Sequence, residues 1–304
     1  MRILVIRLGA LGDFILSFAA FAAIRAHHPD AYITLLTTAP FVELARQAPW
    51  FDAVQLDRRP KWWNFSGVLR LAGALRKFDF VYDLQTSGRS SRYFILANRP
   101  PWSGIAAGCS HPHANPRRDF LHTRERQREQ LEMAGILRFP PPDTGWLTAS
   151  AGNFSVPDRF FLLVPGASPR HPAKRWPAER FGALAALLAA RGISSVVLGG
   201  QAEAPLAGVI RAACPGSIDL TGRTTLADIA GLAVQARFAI GNDTGPMHLI
   251  AAMGCPALVL FSAASDPALT APRGPDGAWP VVLRAPVLAD LDVERVAAAL
   301  PIGS

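Results

Sequence analysis

The sequence predicts an α/β protein built as two doubly wound domains that face each other across a cleft. Three observations carry that prediction. Short apolar runs of strand length alternate along the chain with segments of helical apolar spacing. The chain has 304 residues, enough for two domains of about 150 residues each. Residues 238–261, F-A-I-G-N-D-T-G-P-M-H-L-I-A-A-M-G-C-P-A-L-V-L-F, read as one complete strand-turn-helix-strand unit.

In that unit the apolar residues 238–240 run into the polar turn Gly241-Asn242-Asp243-Thr244-Gly245. Pro246 opens a helix, where its missing N–H costs nothing. Gly254 ends the helix, Pro256 follows, and 257–261 form a second apolar strand. Free N–H groups and the positive dipole end at the helix N-terminus favour an anion there. An acid, a hydroxyl and a glycine stand at its mouth. The turn therefore suggests a ligand with both phosphate and hydroxyl groups, such as a nucleotide sugar. The plainer reading is a capped turn with a structural His248.

The remaining elements follow in order. Strands are expected at 2–7, 32–37, 53–56 and 80–84, with helical patterns between them at about 14–27, 41–47 and 67–77. The Pro-, His- and Arg-rich stretch 111–118 reads as an exposed loop, and a charged helix follows at about 123–134. Residues 140–157, rich in Pro, Gly, Ser, Thr and Ala, read as the linker. The expected domains are thus 1–153 and 154–304. Strand-helix units then restart with strand 160–164, helix 178–190, strand 195–198, helix 204–213 and helix 226–235. A helix at 292–300 closes the chain after the 238–261 unit.

Composition narrows the function classes. Half the residues are hydrophobic and 18% are charged, which fits a globular protein with an ample core. The apolar run 14–24 is shorter than the roughly 20 residues a bilayer span needs. Arg7, Gly9, Gly12 and Asp13 interrupt the N-terminal apolar stretch, which argues against a signal peptide. Three cysteines, an odd and small number, fit a reducing cytoplasm without a disulfide framework. The net charge is +8 and unevenly placed: residues 1–150 hold 19 Lys and Arg against 12 Asp and Glu, and residues 151–304 hold 12 against 11. A basic N-terminal half, with Arg117, Arg118, Arg124, Arg126 and Arg128, implies nucleic acid, an anionic membrane surface or an acidic substrate as partner. Only three of the 31 basic residues are lysine, a bias that looks like genomic base composition, so part of the excess is solvated surface.

Chemistry-bearing residues gather at predicted strand ends. Arg7-Leu8-Gly9-Ala10-Leu11-Gly12-Asp13 joins the first strand to the first helix but is not G-x-G-x-x-G, so a dinucleotide fingerprint is poorly supported. Asp13 reads either as a helix cap or as a carboxylate acting as general base. In the loop 165–177, Gly166 and Ser168 offer donors, and Lys174 and Arg175 could meet phosphates. In 198–203, Glu203 can accept from both ribose hydroxyls or serve as a first-turn acid. Four such loops together weigh more than any one. Two decoys are set aside. Asp290-Leu291-Asp292 lies beside the last helix and reads as a cap, and Cys109-x-His111-x-His113 lacks a fourth ligand at zinc-like spacing.

Together these segments resemble the ADP-heptose:lipopolysaccharide heptosyltransferases, glycosyltransferase family 9. R-I-L-V-I-R-L-G-A-L-G-D-F-I-L-S looks like that family's opening strand and Gly-Asp loop, H-P-D-A-Y-I-T-L-L-T like its second strand, and D-L-Q-T-S-G-R-S-S-R like its acceptor-side segment. P-A-K-R-W-P and G-N-D-T-G-P-M-H-L-I-A-A-M-G are the most specific matches. Ala19 stands where the family often has proline, and 101–118 has no clear counterpart.

The resemblance implies a GT-B fold of two Rossmann-like domains, with acceptor on the N-terminal one and nucleotide sugar on the C-terminal one. It implies an inverting transfer from ADP-heptose to an anionic, lipid-linked lipopolysaccharide inner-core acceptor. No cofactor, metal or nucleic acid enters that scheme. By position, Asp13 of the Gly12-Asp13 pair matches the catalytic carboxylate, and Ser168 and Lys174 match diphosphate-binding positions. Glu203 matches the ribose-binding acid. Asp243, Thr244 and Gly245 match the donor motif, within which His248 also lies. Arg89 and Arg124 are expected on the acceptor side, and the enzyme in the cytoplasm, at the inner face of the inner membrane. The rival readings are a GT-B transferase with another donor or acceptor, a sugar-nucleotide epimerase, and a nucleotide-binding regulator.

Overall fold

The computed structural model describes residues 1–148, 152–168 and 171–301. The chain divides into two compact units, Met1–Trp146 and Leu147–Ser304. The expected linker is only partly open chain, since Gly145–Thr148 form a 3₁₀ turn with Leu147 buried. Residues 149–151 of that linker, and Pro169 and Arg170 of the loop after 164, lie outside the described residues.

The first unit contains β1 (Arg2–Ile6), α1 (Leu11–Leu16), α2 (Phe18–His27), β2 (Tyr32–Thr37), α3 (Val42–Gln47) and β3 (Ala53–Leu56). It continues with α4 (Phe65–Leu75), β4 (Phe80–Asp83), α5 (Gly88–Leu96), β5 (Trp102–Gly104), β6 (His111–Pro112) and α6 (Thr123–Met133). Its strands form one sheet in the order β3-β2-β1-β4-β5-β6, parallel at every pairing. Ile3 to Ile6 are fully buried, as a central parallel strand covered on both faces must be.

The second unit contains β7 (Phe160–Val164), α7 (Ala178–Ala189), β8 (Ser194–Val197), α8 (Ala204–Ala213), β9 (Ile218–Asp219) and α9 (Leu226–Gln235). Then come β10 (Ala239–Asn242), α10 (Gly245–Ala252), β11 (Ala257–Phe261), α11 (Pro267–Thr270), β12 (Val281–Arg284) and α12 (Val293–Ala298). The sheet order is β12-β11-β10-β7-β8-β9, again parallel throughout. Counted from its own first strand, each sheet has the order 3-2-1-4-5-6 of the Rossmann fold. In such sheets the connection direction reverses between strands 1 and 4, and ligands bind beyond the carboxyl ends there. The two switch points are β1/β4 and β7/β10.

Several expectations need correcting. The helix expected at 14–27 is two helices broken at Ser17, whose hydroxyl bonds the Asp13 carbonyl at 2.8 Å. The stretch 111–118 is not simply an exposed loop. His111 and Pro112 pair with β5, and His113 is buried with its Nε2 2.7 Å from Glu129 Oε2. The apolar pattern does not predict α5, β5, β6, β9, α11 or β12. Most of these are two to four residues long, too short to show a period. Asp292 caps α12 by accepting from the Arg295 N–H at 2.7 Å, so the D-x-D decoy is a cap as read. Among the described residues no helix is long and apolar enough to cross a membrane.

Candidate functional site

The loop leaving β1 begins with a buried arginine. Arg7 is 3% exposed, its Nη1 donates to the Leu84 carbonyl at 2.7 Å, and its Nη2 lies 3.1 Å from Asp13 Oδ1. The loop is fastened on three sides. Leu8 N–H donates to Gln85 Oε1 at 2.8 Å, and the Leu8 carbonyl accepts from Thr38 Oγ1 and Arg59 Nη2, each at 2.9 Å. Gly9 has φ +134°, a conformation that favours glycine. Gly12 is buried inside α1, and Asp13 follows it in the first turn with its side chain 40% exposed. Asp13 Oδ2 is 3.4 Å from the Ala10 N–H, a long capping contact, so the carboxylate is held chiefly by arginine.

Burial draws the Arg7 pKa down, Asp13 opposes that shift, and Arg126 on α6 adds to it. The charge of Arg126 also interacts with Asp13. Asp83, at the end of β4, is fully buried on the other side of the switch point, and burial pushes its carboxyl up to about 6. Arg89, on α5, is stacked over the Trp62 ring at 5.2 Å, and Arg124 lies in the first turn of α6. Cys109, His111 and His113 do not gather. His111 Nδ1 pairs with Ser110 and His113 with Glu129, and no group of three or more potential ligands is placed to hold a metal among the described residues.

In the second unit three strand-end loops interlock. Asn242, fully buried at the end of β10, accepts from the Trp176 N–H at 3.0 Å and donates to the Pro165 carbonyl at 2.8 Å. One amide thus joins the turn after β10 to both ends of the loop after β7. Lys174, in a 3₁₀ turn of that loop, reaches Asp243 Oδ2 at 2.6 Å, with side-chain exposures of 18% and 7%. Ser265 Oγ donates to the same oxygen at 2.7 Å.

Glu203 ends a 3₁₀ turn after β8 and accepts from the Gly200 N–H at 2.9 Å. A Cβ on Gly166 would come within 2.8 Å of Glu203 Cγ, and one on Gly199 within 2.8 Å of Glu203 Cβ, so both glycines make room for this acid. Thr244 is the N-cap of α10, Gly245 is its first residue, and His248 is buried one turn further on. Ser168 is exposed in the loop after β7, its carbonyl accepting from the His171 N–H.

The structure therefore gathers Lys174, Glu203, Asp243, Thr244 and Gly245 at one switch point, and sets Asp13 at the other. Arg7, Asn242 and Ser265 were not singled out from sequence. The signal for the first two was available: each is a strongly polar residue immediately at the end of an otherwise apolar strand. Ser265 lies 22 residues beyond Asp243, and nothing local marks it.

Comparison with known proteins bears on this geometry. The family model described as glycosyltransferase family 9 (heptosyltransferase) matches residues 68–279. Lipopolysaccharide heptosyltransferase 2 of Salmonella typhimurium is 25% identical over 299 residues, covering 90% of this chain and 85% of that one. Among solved structures, ADP-heptose lps heptosyltransferase II of E. coli superposes with a TM-score of 0.77 at 22% identity, covering 98% of this chain and 97% of that chain. The E. coli heptosyltransferase WaaC with ADP gives 0.76 at 21% identity, covering 98% of each. These two likenesses show a shared fold.

Proposed function

The chain belongs to glycosyltransferase family 9 and has its GT-B architecture of two Rossmann-like units, and on that premise we propose that it transfers heptose from ADP-heptose to an anionic, lipid-linked lipopolysaccharide core acceptor. The observation that carries the reading is the interlocked loop set at the β7/β10 switch point. There an anion-favouring helix N-terminus, an ammonium group and an acid suited to a ribose stand together. The relatives, an ADP-heptose lps heptosyltransferase and a lipopolysaccharide heptosyltransferase, suggest the donor and acceptor class.

In this reading the second unit, Leu147–Ser304, binds the nucleotide sugar, and the first, Met1–Trp146, the acceptor. Glu203 accepts from the ribose hydroxyls. Ser168, Thr244 and Gly245 donate to the diphosphate. Lys174 spends one of its three N–H donors on Asp243 and has two for phosphate. Asp243 orients the sugar, His248 packs behind the motif, and Arg89 and Arg124 meet acceptor anions. Asp13, reached through the Gly12 turn, takes the proton of the attacking acceptor hydroxyl. The new oxygen–carbon bond forms at the anomeric centre as the bond to ADP breaks, which inverts configuration. Charge appearing on ADP is met by Lys174 and the α10 N-terminus, donors fixed before the reaction begins. These donors meet the leaving group without a divalent metal. The work is placed in the cytoplasm, at the inner face of the inner membrane.

The test is ADP release from ADP-heptose with and without a heptose-deficient lipopolysaccharide core, EDTA being present in both. Release that requires the acceptor supports the reading. Conversion of the donor without acceptor would make the protein an epimerase, and binding without turnover a regulator. Turnover with another nucleotide sugar alone would change the donor.

A further inference from the structure

Helix α4 has both buried and exposed apolar side chains. Leu71, Ala72 and Leu75 are buried against the unit's core. On the outward side Phe65 and Leu69, one turn apart, are 77% and 71% exposed, and Trp63, just before the Asn64 cap, is 71% exposed. Among the other described residues, the large apolar side chains exposed to this degree, Phe120 and Leu137, are far apart in sequence. Isolated exposed apolar groups are ordinary, whereas three within seven residues on one helix entry form a patch that asks for a partner.

The charge around the patch selects that partner. Between Asp57 and Asp79 the sequence has six Lys or Arg and no acidic residue. Arg70 on α4, and Arg76 and Lys77 just past its C-terminal end, are exposed. Lys61 lies over the Trp63 ring at 5.2 Å. Trp62 is held from the other side, with Arg89 and Arg92 stacked over it at 5.2 and 5.1 Å, so its neighbour Trp63 is presented on a fixed support. A helix with exposed aromatic and leucine side chains, in a stretch that carries cations and no acid, matches a segment that lies in the headgroup region of an anionic bilayer. A protein partner would need complementary acids, and a second copy of this chain would set like charges against each other.

We propose that the outward face of α4, with Trp63, Phe65 and Leu69 as inserted groups and Arg70, Arg76 and Lys77 as headgroup contacts, docks the enzyme on anionic phospholipid. The surface deepens the lipid-linked acceptor reading above and rests on it for the identity of the membrane. The test is vesicle co-flotation of the full chain without substrates, using phosphatidylcholine vesicles with and without phosphatidylglycerol. The parent should float with the anionic vesicles, should not float with the neutral ones, and should be released by salt. Trp63→Ser/Phe65→Ser/Leu69→Ser should lower the bound fraction about tenfold or more, since each group loses its interfacial anchor. Arg70→Ser/Arg76→Ser/Lys77→Ser should abolish the preference for phosphatidylglycerol.

Equal flotation of parent and the apolar variant would overturn the proposal, as would no flotation of the parent. So would a parent dimer that the apolar variant turns into a monomer. Transfer to a soluble, lipid-free core acceptor separates the two claims. Activity there without vesicle binding removes the docking surface and leaves the function. Vesicle binding without any transfer does the reverse.

Discussion

Arg7 joins the fold and the chemistry at the scale of single residues. A guanidinium 3% exposed is costly unless paired, and its ion pair is the carboxylate assigned here as base. Asp13→Asn keeps the size and the contact with Ala10, so ADP affinity should stay within about twofold while transfer falls by about 10²-fold or more. Near-parent turnover in a steady-state assay would remove Asp13 from that role. Lys174→Ala should instead weaken ADP binding by about tenfold or more, read by calorimetry, because a charge-assisted phosphate contact is lost. Unchanged affinity would contradict its assignment.

Asp83 makes a separate prediction. Its folded pKa of about 6 lies above the ordinary 3.8, because burial outweighs Arg7, Ser90 and two backbone N–H groups. A carboxyl shifted upward contributes stability below its unfolded value, and that contribution is lost as pH rises through the folded one. The urea midpoint of the parent relative to Asp83→Asn should therefore fall between about pH 4 and 7. A difference that does not change with pH would rule out an ionising buried carboxyl.

Elements show why these residues meet. Helix α10 starts where β10 stops, and Asn242, between them, fastens the loop after β7 to that junction. Asn242→Ala would leave a buried N–H and a carbonyl without partners, costing about 2 kcal/mol or more of unfolding free energy. Chemical denaturation checks that figure, and a cost below about half of it would demote the clamp. Most of this was legible in sequence. Runs such as Ile3–Ile6 and 257–261 are unbroken apolar stretches with Gly or Pro close by, so their strands were found. Lys174, Glu203 and Asp243 could be singled out because each stands in the loop that follows such a strand. What escaped notice was either too short to have a period, like β6 and β9, or fixed by partners far along the chain. His113 looked like loop because the partner that lets it be buried, Glu129, lies 16 residues on. The break at Ser17 is likewise invisible in the local pattern, since Gln127, 110 residues away, bonds the same hydroxyl.

The whole molecule is two units, each with its own six-stranded sheet, and the groups assigned to the donor all belong to the second. Residues 147–304 produced alone should fold and bind ADP within about tenfold of the full chain, since no switch-point residue of that sheet is removed. A disordered fragment would show that the second unit depends on the first. The lysine scarcity of the chain has a use at this scale. Its side-chain amines are Lys61, Lys77 and Lys174 alone. The third is largely covered and bonded to Asp243, while the first two border the outward face of α4. Acylation read by mass spectrometry would then give three well-separated signals without any engineered label. Protection at position 174 would report donor occupancy, and protection at 61 and 77 would report the lipid surface, both from one sample of unmodified protein.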